Sequence, residues 1–160
     1  VNSASLRLGI DVLADRYAEL FTNNIISHGM LYVKCTERVI PLPSDFVDVL
    51  FTINAIDHVD HFSGVCNELV RILKPGGEFI ASFNLEEAPT ACEPQRLTEE
   101  RIRENLLNRL TVRSYRTSAK GPEENPYAHF FDGQISYKTG QEGFLWVRAT
   151  KRRHTKPDAS

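Results

Sequence analysis

The stretch from Pro41 to Asn84, PLPSDFVDVLFTINAIDHVDHFSGVCNELVRILKPGGEFIASFN, leaves few choices of fold. Phe46 to Ile53 (FVDVLFTI) is short, mostly apolar and rich in β-branched and aromatic residues, which predicts a strand buried on both faces. Phe62, Val65, Cys66, Leu69, Ile72 and Leu73 then recur at helical spacing and lay an apolar stripe along one face, with Asp60 as the expected cap. Pro75 bars further helix, and Gly76 or Gly77 can take the left-handed conformation that turns the chain back. Glu78 to Phe83 (EFIASF) is a second strand. Strand, helix and strand with so little between them predict a right-handed βαβ crossover in a parallel sheet. Such sheets bind ligands beyond the carboxyl ends of their strands. Here that edge carries Asn54, Ala55, Asp57 and His58 after the first strand, and Asn84, Glu86 and Glu87 after the second.

The flanking segments extend the pattern. Leu6 to Ile10 reads as a strand with Asp11 at its carboxyl end. Asp15 is the expected cap of the next helix, and Tyr17, Leu20 and Phe21 its expected buried face, broken at Asn23, Asn24, Ser27 and Gly29. Met30 to Cys35 alternates as another strand. After Asn84, Leu85 to Gln95 holds two prolines and no periodicity, a loop of the length that usually carries function. Thr98 caps a helix whose face is Ile102, Leu106 and Leu110. Thr111 to Ser118 and Phe144 to Thr150 are two strands whose irregular connection, Lys120 to Gly143, predicts antiparallel pairing. Tyr127, Phe130 and Phe131 form an aromatic patch in that connection, with His129 beside them. The result is an α/β sheet, mostly parallel, with an antiparallel final strand pair.

Composition narrows the function classes. A net charge of −2 gives no global reason to expect nucleic acid or an acidic membrane as partner, and the basic Lys151–Arg152–Arg153 run reads as a solvated, frayed tail. Three cysteines, Cys35, Cys66 and Cys92, lack metal-ligand spacing, and the five histidines join no ligand set, so no metal is expected. No apolar run approaches the ~20 residues of a membrane span, and a reducing, cytoplasmic setting is expected.

IPLPSDFVDVLFTINAIDHVDH, NELVRILKPGGEF, GIDVLADRY and EPQRLTEERIREN, in this order, resemble the fourth-strand, fifth-strand, second-strand and following segments of class I S-adenosylmethionine-dependent methyltransferases, in particular a bacterial branch of the type 11 methyltransferase domain. The resemblance covers nearly the whole chain and implies a Rossmann-like sheet with S-adenosylmethionine as cofactor. Family members open with a strand and a glycine-rich loop, and only five residues precede the strand that ends at Asp11. The expectation is therefore a partial methyltransferase domain over residues 1–150, lacking that first strand and loop, followed by a basic flexible tail over 151–160. The chain is expected to be an inactive fragment of a longer enzyme.

The resemblance implies cofactor contacts from Asp11 and Val12, from Thr36 and Glu37, and from Asn54 and Ala55. A carboxylate at a strand end can accept both ribose hydroxyls, although Asp11 is equally suited to a helix-entry turn. Glu37 is the candidate for the adenine amino group or else a solvated charge, and Asn54 and Ala55 form either a cofactor edge or an ordinary turn. Asp57 and His58 are the catalytic candidates, since a histidine oriented by a carboxylate can take a proton from an oxygen or nitrogen nucleophile; otherwise they shape the turn. The leading function is methyl transfer from S-adenosylmethionine to a small or medium acceptor. The alternatives are a catalytically silent methyltransferase-like binding domain and a nicotinamide-dependent oxidoreductase. Against the latter stand the missing G-x-G-x-x-G and the antiparallel final pair. The oligomeric state is not legible.

Overall fold

The computed structural model describes residues 5–121 and 135–153. Tyr127, His129 and the Phe130–Phe131 pair lie outside the described residues, as does the tail beyond residue 153. The element order is β1 (Leu8–Asp11), α1 (Ala14–Leu20), α2 (Thr22–His28), β2 (Leu31–Lys34), β3 (Val47–Ile53), α3 (Phe62–Ile72), β4 (Leu73–Leu85), α4 (Glu99–Asn105), β5 (Leu110–Ala119) and β6 (Gly143–Lys151). A single 3-10 turn, Leu107–Arg109, follows α4. β1 pairs with β2 in parallel, while β3, β4, β6 and β5 form a four-stranded sheet in that order. Within it β3–β4 is parallel, and β6 runs antiparallel to both β4 and β5. Among the described residues no ladder joins the two sheets.

The central crossover forms as its residues dictate. Phe62, Cys66, Leu69 and Ile72 turn the buried stripe of α3 onto Leu50, Phe79, Ala81 and Phe83 of the sheet. β4 begins at Leu73 rather than Glu78, and Gly76, at φ 82°, sits within it at the irregularity between the Val47–Leu73 and Val49–Glu78 pairs. Gly77 packs so closely on the Asp48 carbonyl that a Cβ there would come within 3.0 Å of it. Burial lifts the Cys66 thiol to about 12, so it behaves as a small apolar side chain. α4 begins where Thr98 accepts the Arg101 N–H at 3.0 Å, and it buries Ile102 and Leu106 against the same core. Arg101 also stacks over the Phe62 ring, 5.2 Å from its centroid, joining α4 to α3.

Several expectations are corrected. β3 is not buried on both faces: Leu50 and Thr52 face α3, whereas Val49, Phe51 and Ile53 are about half exposed on the opposite face, which no described helix covers. Tyr17, Leu20 and Phe21 do not form a buried helix face; Leu20 and Phe21 lie exposed, and only Ala14 of α1 is buried. Asp15 is not a cap, because Asp11 accepts the Leu13 N–H at the helix entry and Asp15 instead pairs with Lys34 at 2.6 Å. The Asn-rich stretch after Phe21 continues as α2 and ends on left-handed Gly29. Asp60 does not cap α3, since the Glu37 carboxylate accepts the backbone N–H groups of Asp60 and His61 at 2.9 and 3.1 Å. Lys151 is the last residue of β6 rather than tail: its ammonium donates to the carbonyls of Val70 (2.7 Å) and Leu73 (2.8 Å) at the end of α3 and pairs with Asp45.

The segment between β2 and β3 is strapped to α3. Glu68 accepts the Ile40 N–H at 2.7 Å and two bonds from Arg71, whose guanidinium donates onward to the carbonyls of Ile40 and Leu42. The Arg71 bonds hold the Glu68 carboxyl below its ordinary range. A depressed carboxylate stabilises the fold above its unfolded value, and that contribution is lost as pH falls through the folded one. E68Q should therefore lower stability at pH 7 by about 1.5–3 kcal/mol. The gap to the unsubstituted chain should close as pH falls below the ordinary carboxylate range, read by urea unfolding across that span.

Candidate functional site

The sequence candidates stand at the carboxyl ends of β1, β2 and β3 and fall into two groups. Asp11 closes β1, and its Oδ1 accepts the Leu13 N–H at 2.7 Å, so the helix-entry role is real. The Cys35 N–H donates to the Asp11 carbonyl at 3.2 Å, so the ends of β1 and β2 are neighbours. Burial first, then the Asp11 charge, raises the Cys35 thiol. Val12 is half exposed directly after Asp11.

After β2, Thr36 Oγ1 accepts the N–H of Val39 at 3.1 Å and turns the chain locally. Glu37 is committed elsewhere: one carboxylate oxygen serves both exposed N–H groups at the start of α3. That occupies the acid expected at an adenine and ties the β2 end to the turn that follows β3. Arg38 reaches the same turn through its guanidinium, 3.0 Å from His61 Nε2. These links run across 23 residues or more, so local sequence carried no signal of them.

Asn54 ends β3 in the left-handed region, φ 43°. Its N–H donates to the Ser82 carbonyl (3.1 Å), and its Oδ1 accepts the Ser82 hydroxyl (2.8 Å), so two bonds to β4 hold a strained backbone at the rim. Ala55 follows, and Ile56 and Asp57 then turn inward and are buried. Glu86, at the end of β4, is also left-handed at φ 61° and pairs with Arg96 at 2.9 Å. Both rim turns thus bend sharply at residues other than glycine.

The second group surrounds His58. Its Nδ1 lies 3.0 Å from the carbonyl of Cys92, and its Nε2 lies 3.8 Å from Asp57 Oδ1 and 3.6 Å from Glu93 Oε1. Asp57 and His58 are therefore together, but the contact is through Nε2 and is longer than a hydrogen bond. The loop from Glu86 to Gln95 supplies the other partners, and Glu93 is the residue sequence reasoning had not joined to His58. Gln95 fixes the loop further by donating to the carbonyls of Val59 (2.8 Å) and Asp60 (3.1 Å). On the far side Lys120 pairs with Glu87 at 2.9 Å and Glu142 at 3.5 Å, and the Glu87 bond raises the Lys120 ammonium above its ordinary range. Among the described residues no group of His, Cys, Asp and Glu is placed to hold a metal ion. No described helix is long and apolar enough to cross a membrane.

Comparison with known proteins gives these positions a context. Residues 9–81 match the family model of a methyltransferase domain. Sixty-six residues are 36% identical to the sterol 24-C-methyltransferase erg6 of Aspergillus fumigatus, covering 41% of this chain but only 17% of that protein. Among solved structures, the [4+2]-cyclase SpnF superposes with a TM-score of 0.69 at 13% identity, over 95% of this chain and 68% of that one. The geranyl diphosphate C-methyltransferase of Streptomyces coelicolor, solved with Mg2+, geranyl diphosphate and S-adenosylhomocysteine, superposes with a TM-score of 0.64 at 15% identity, over 90% and 62%. An S-adenosylmethionine-dependent methyltransferase from Mesorhizobium loti gives 0.64 at 16%, over 92% and 81%. At these identities the structural likeness speaks to the fold alone.

The Asn54 turn makes a direct prediction. Asn54→Ala loses the Ser82 bond and the polar side chain that lets asparagine tolerate the left-handed region better than alanine, so it should destabilise the fold by about 1–2 kcal/mol. Asn54→Gly, which removes the strain, should cost less. Urea unfolding monitored at Trp146 checks the order of the two.

Proposed function

We propose that this chain is part of a class I S-adenosylmethionine-dependent methyltransferase, in which the carboxyl ends of β1, β2 and β3 hold S-adenosylmethionine and its methyl group passes to a small organic acceptor. The observation that carries this reading is that Asp11, the turn after β2 and the strained Asn54 turn all stand at carboxyl ends of strands, in two sheets tied through Glu37 to the start of α3, within the stretch matched by the methyltransferase family. The residues suit the adenosine end of the cofactor. Asp11 keeps one carboxylate oxygen for the ribose hydroxyls, Val12 offers apolar surface beside it, and Thr36 sits at the neighbouring strand end. Asn54 and Ala55 present backbone and a small side chain at the rim. Glu37 is a weaker contact, because its carboxylate already serves the α3 N-terminus.

The bound cofactor supplies an electrophilic methyl group on a sulfonium, and the protein's task is to align an acceptor with it and to handle one proton. We assign that task to Asp57 and His58, at the edge next to the Glu86–Gln95 loop. Two of the similar proteins are named for a sterol and for geranyl diphosphate, which favours a small molecule over a macromolecule as acceptor. Three cysteines without disulfide partners suit a reducing, cytoplasmic setting.

Backbone amide shifts during titration with millimolar S-adenosylhomocysteine test the reading. Perturbations should cluster at Asp11–Leu13, Thr36–Glu37 and Asn54–Asp57, and Asp11→Asn should weaken binding at least tenfold. A nicotinamide dinucleotide at the same concentration should leave these amides unmoved. Response to the dinucleotide alone would overturn the proposal.

A further inference from the structure

Among the described residues, the buried side-chain atoms left without a hydrogen-bond partner are Thr52 Oγ1, Asn84 Oδ1, the Tyr137 hydroxyl and Asp57 Oδ1. The first three belong to neutral groups, and Asp57 is the acid. A carboxylate buried without a donor costs far more than a hydroxyl or an amide in the same position. The Asp57 side chain is only 5% exposed, and the half-exposed His58 ring beside it does not meet the need. Its Nε2 stands 3.8 Å from Oδ1, beyond hydrogen-bond distance, and its Nδ1 is engaged by the Cys92 carbonyl at 3.0 Å. Glu93 Oε1 lies 3.6 Å from the same Nε2, again too far to bond. Two acids from different segments, the turn after β3 and the loop after β4, therefore stand around one atom. Among the described residues neither carboxylate receives a side-chain hydrogen bond or pairs with a lysine or arginine.

The cations nearby are committed elsewhere. Arg96 pairs with Glu86 at 2.9 Å, and Lys120 pairs with Glu87 at 2.9 Å and Glu142 at 3.5 Å. Arg101 donates to the Arg96 carbonyl and to the Gln95 side chain, and it stacks over Phe62. The Gln95 amide gives its hydrogens to the carbonyls of Val59 and Asp60. What this edge lacks is a donor that carries positive charge. An alcohol brings one hydrogen and no charge, and a carboxylate brings neither. An ammonium brings three hydrogens and a charge, so one small group can serve both acids. It breaks no hydrogen bond on entry, because the contacts it parts are not hydrogen bonds.

We propose that Asp57 and Glu93 are the seat of a small amine, and that the methyl acceptor is the nitrogen of that amine. The acceptor role rests on the methyl-transfer reading; the seat does not. Asp57 follows the Asn54 turn by three residues, so a nitrogen held there stands at the edge assigned to the cofactor. For transfer the ammonium gives up one proton, the task assigned to Asp57 and His58. Its freed electron pair bonds the methyl carbon, and the carbon–sulfur pair stays on the sulfur. The arrangement also explains why an uncompensated acid is tolerated in the fold: it is held for a ligand rather than for a protein partner.

Titration of the whole chain with n-butylamine, n-butanol and butyrate at pH 7, read by backbone amide shifts and the Asp57 side-chain carboxyl carbon, tests the seat. Butylamine should move Asp57, His58 and Glu93 at a concentration about tenfold lower than butanol requires, and butyrate should leave them unmoved. Asp57→Asn should weaken butylamine binding about tenfold, and the more exposed Glu93→Gln about threefold. Urea unfolding supplies a readout that a structural acid would move the other way. Asp57→Asn removes an uncompensated buried acid, so its midpoint should equal or exceed that of the unsubstituted chain. Equal response to butylamine and butanol, or a lowered midpoint for Asp57→Asn, would overturn the seat. S-adenosylhomocysteine titration of the unsubstituted chain reads the cofactor site separately. Failure there with amine binding intact removes the acceptor role alone, whereas amine failure with adenosylhomocysteine bound removes the seat and leaves the methyl-transfer reading.

Discussion

β4 carries a parallel ladder on one side and an antiparallel ladder on the other, and the rest of the architecture follows from that double engagement. A parallel partner cannot be reached by a hairpin, so the chain must cross over the sheet, and α3 is that crossing. An antiparallel partner needs only a return, so β6 enters beside β4 from the far end of the chain, with β5 outside it. Because β3 and β4 run the same way, both release their loops at one edge. Asn54, Asp57, Glu86 and the loop after β4 that meets His58 all lie there as a consequence.

The elements written in local chemistry were readable. Pro75, Gly76 and the 3.6-residue stripe from Phe62 to Ile72 specify a helix, a reversal and a strand without reference to anything distant. Thr98 likewise announces α4. What could not be read depends on partners far away in sequence. β3 looks doubly buried by composition, but burial of a face requires a layer on it, and the face bearing Val49, Phe51 and Ile53 has none among the described residues. Asp60 looked like a cap because it sits where caps sit, and Glu37, 23 residues earlier, took the position instead. Asp15, inside the first turn of α1, pairs with Lys34 from β2, while Asp11, ahead of the helix, accepts the Leu13 N–H.

The candidate site divides in the same way. Asp11, Asn54 and Ala55 could be placed because strand ends locate ligands in any open parallel sheet. Their finer commitments, to Leu13 and to Ser82, needed coordinates. Asp57 and His58 were recognised as a pair, yet their relation was not the oriented dyad that adjacency suggests. The ring turns Nδ1 to a backbone carbonyl from the loop after β4, and Nε2 lies 3.6–3.8 Å from two acids of different segments. Glu93 gave no signal of this, since nothing in LEEAPTACEPQ shows where the loop folds back.

Lys151 has a bearing on the order in which the fold can be completed. The carbonyls of Val70, Arg71 and Leu73 at the end of α3 receive their donor from an ammonium 78 to 81 residues farther along the chain. The Arg71 and Ile72 carbonyls also accept from Asp45 and Phe46, made before the helix, so it is the Val70 and Leu73 carbonyls that wait in water for the Lys151 ammonium. The helix gains its full complement of hydrogen bonds only when the final strand arrives to dock against β4. The crossover that organises the sheet is thus completed at its end by a residue of β6, the last of the described strands.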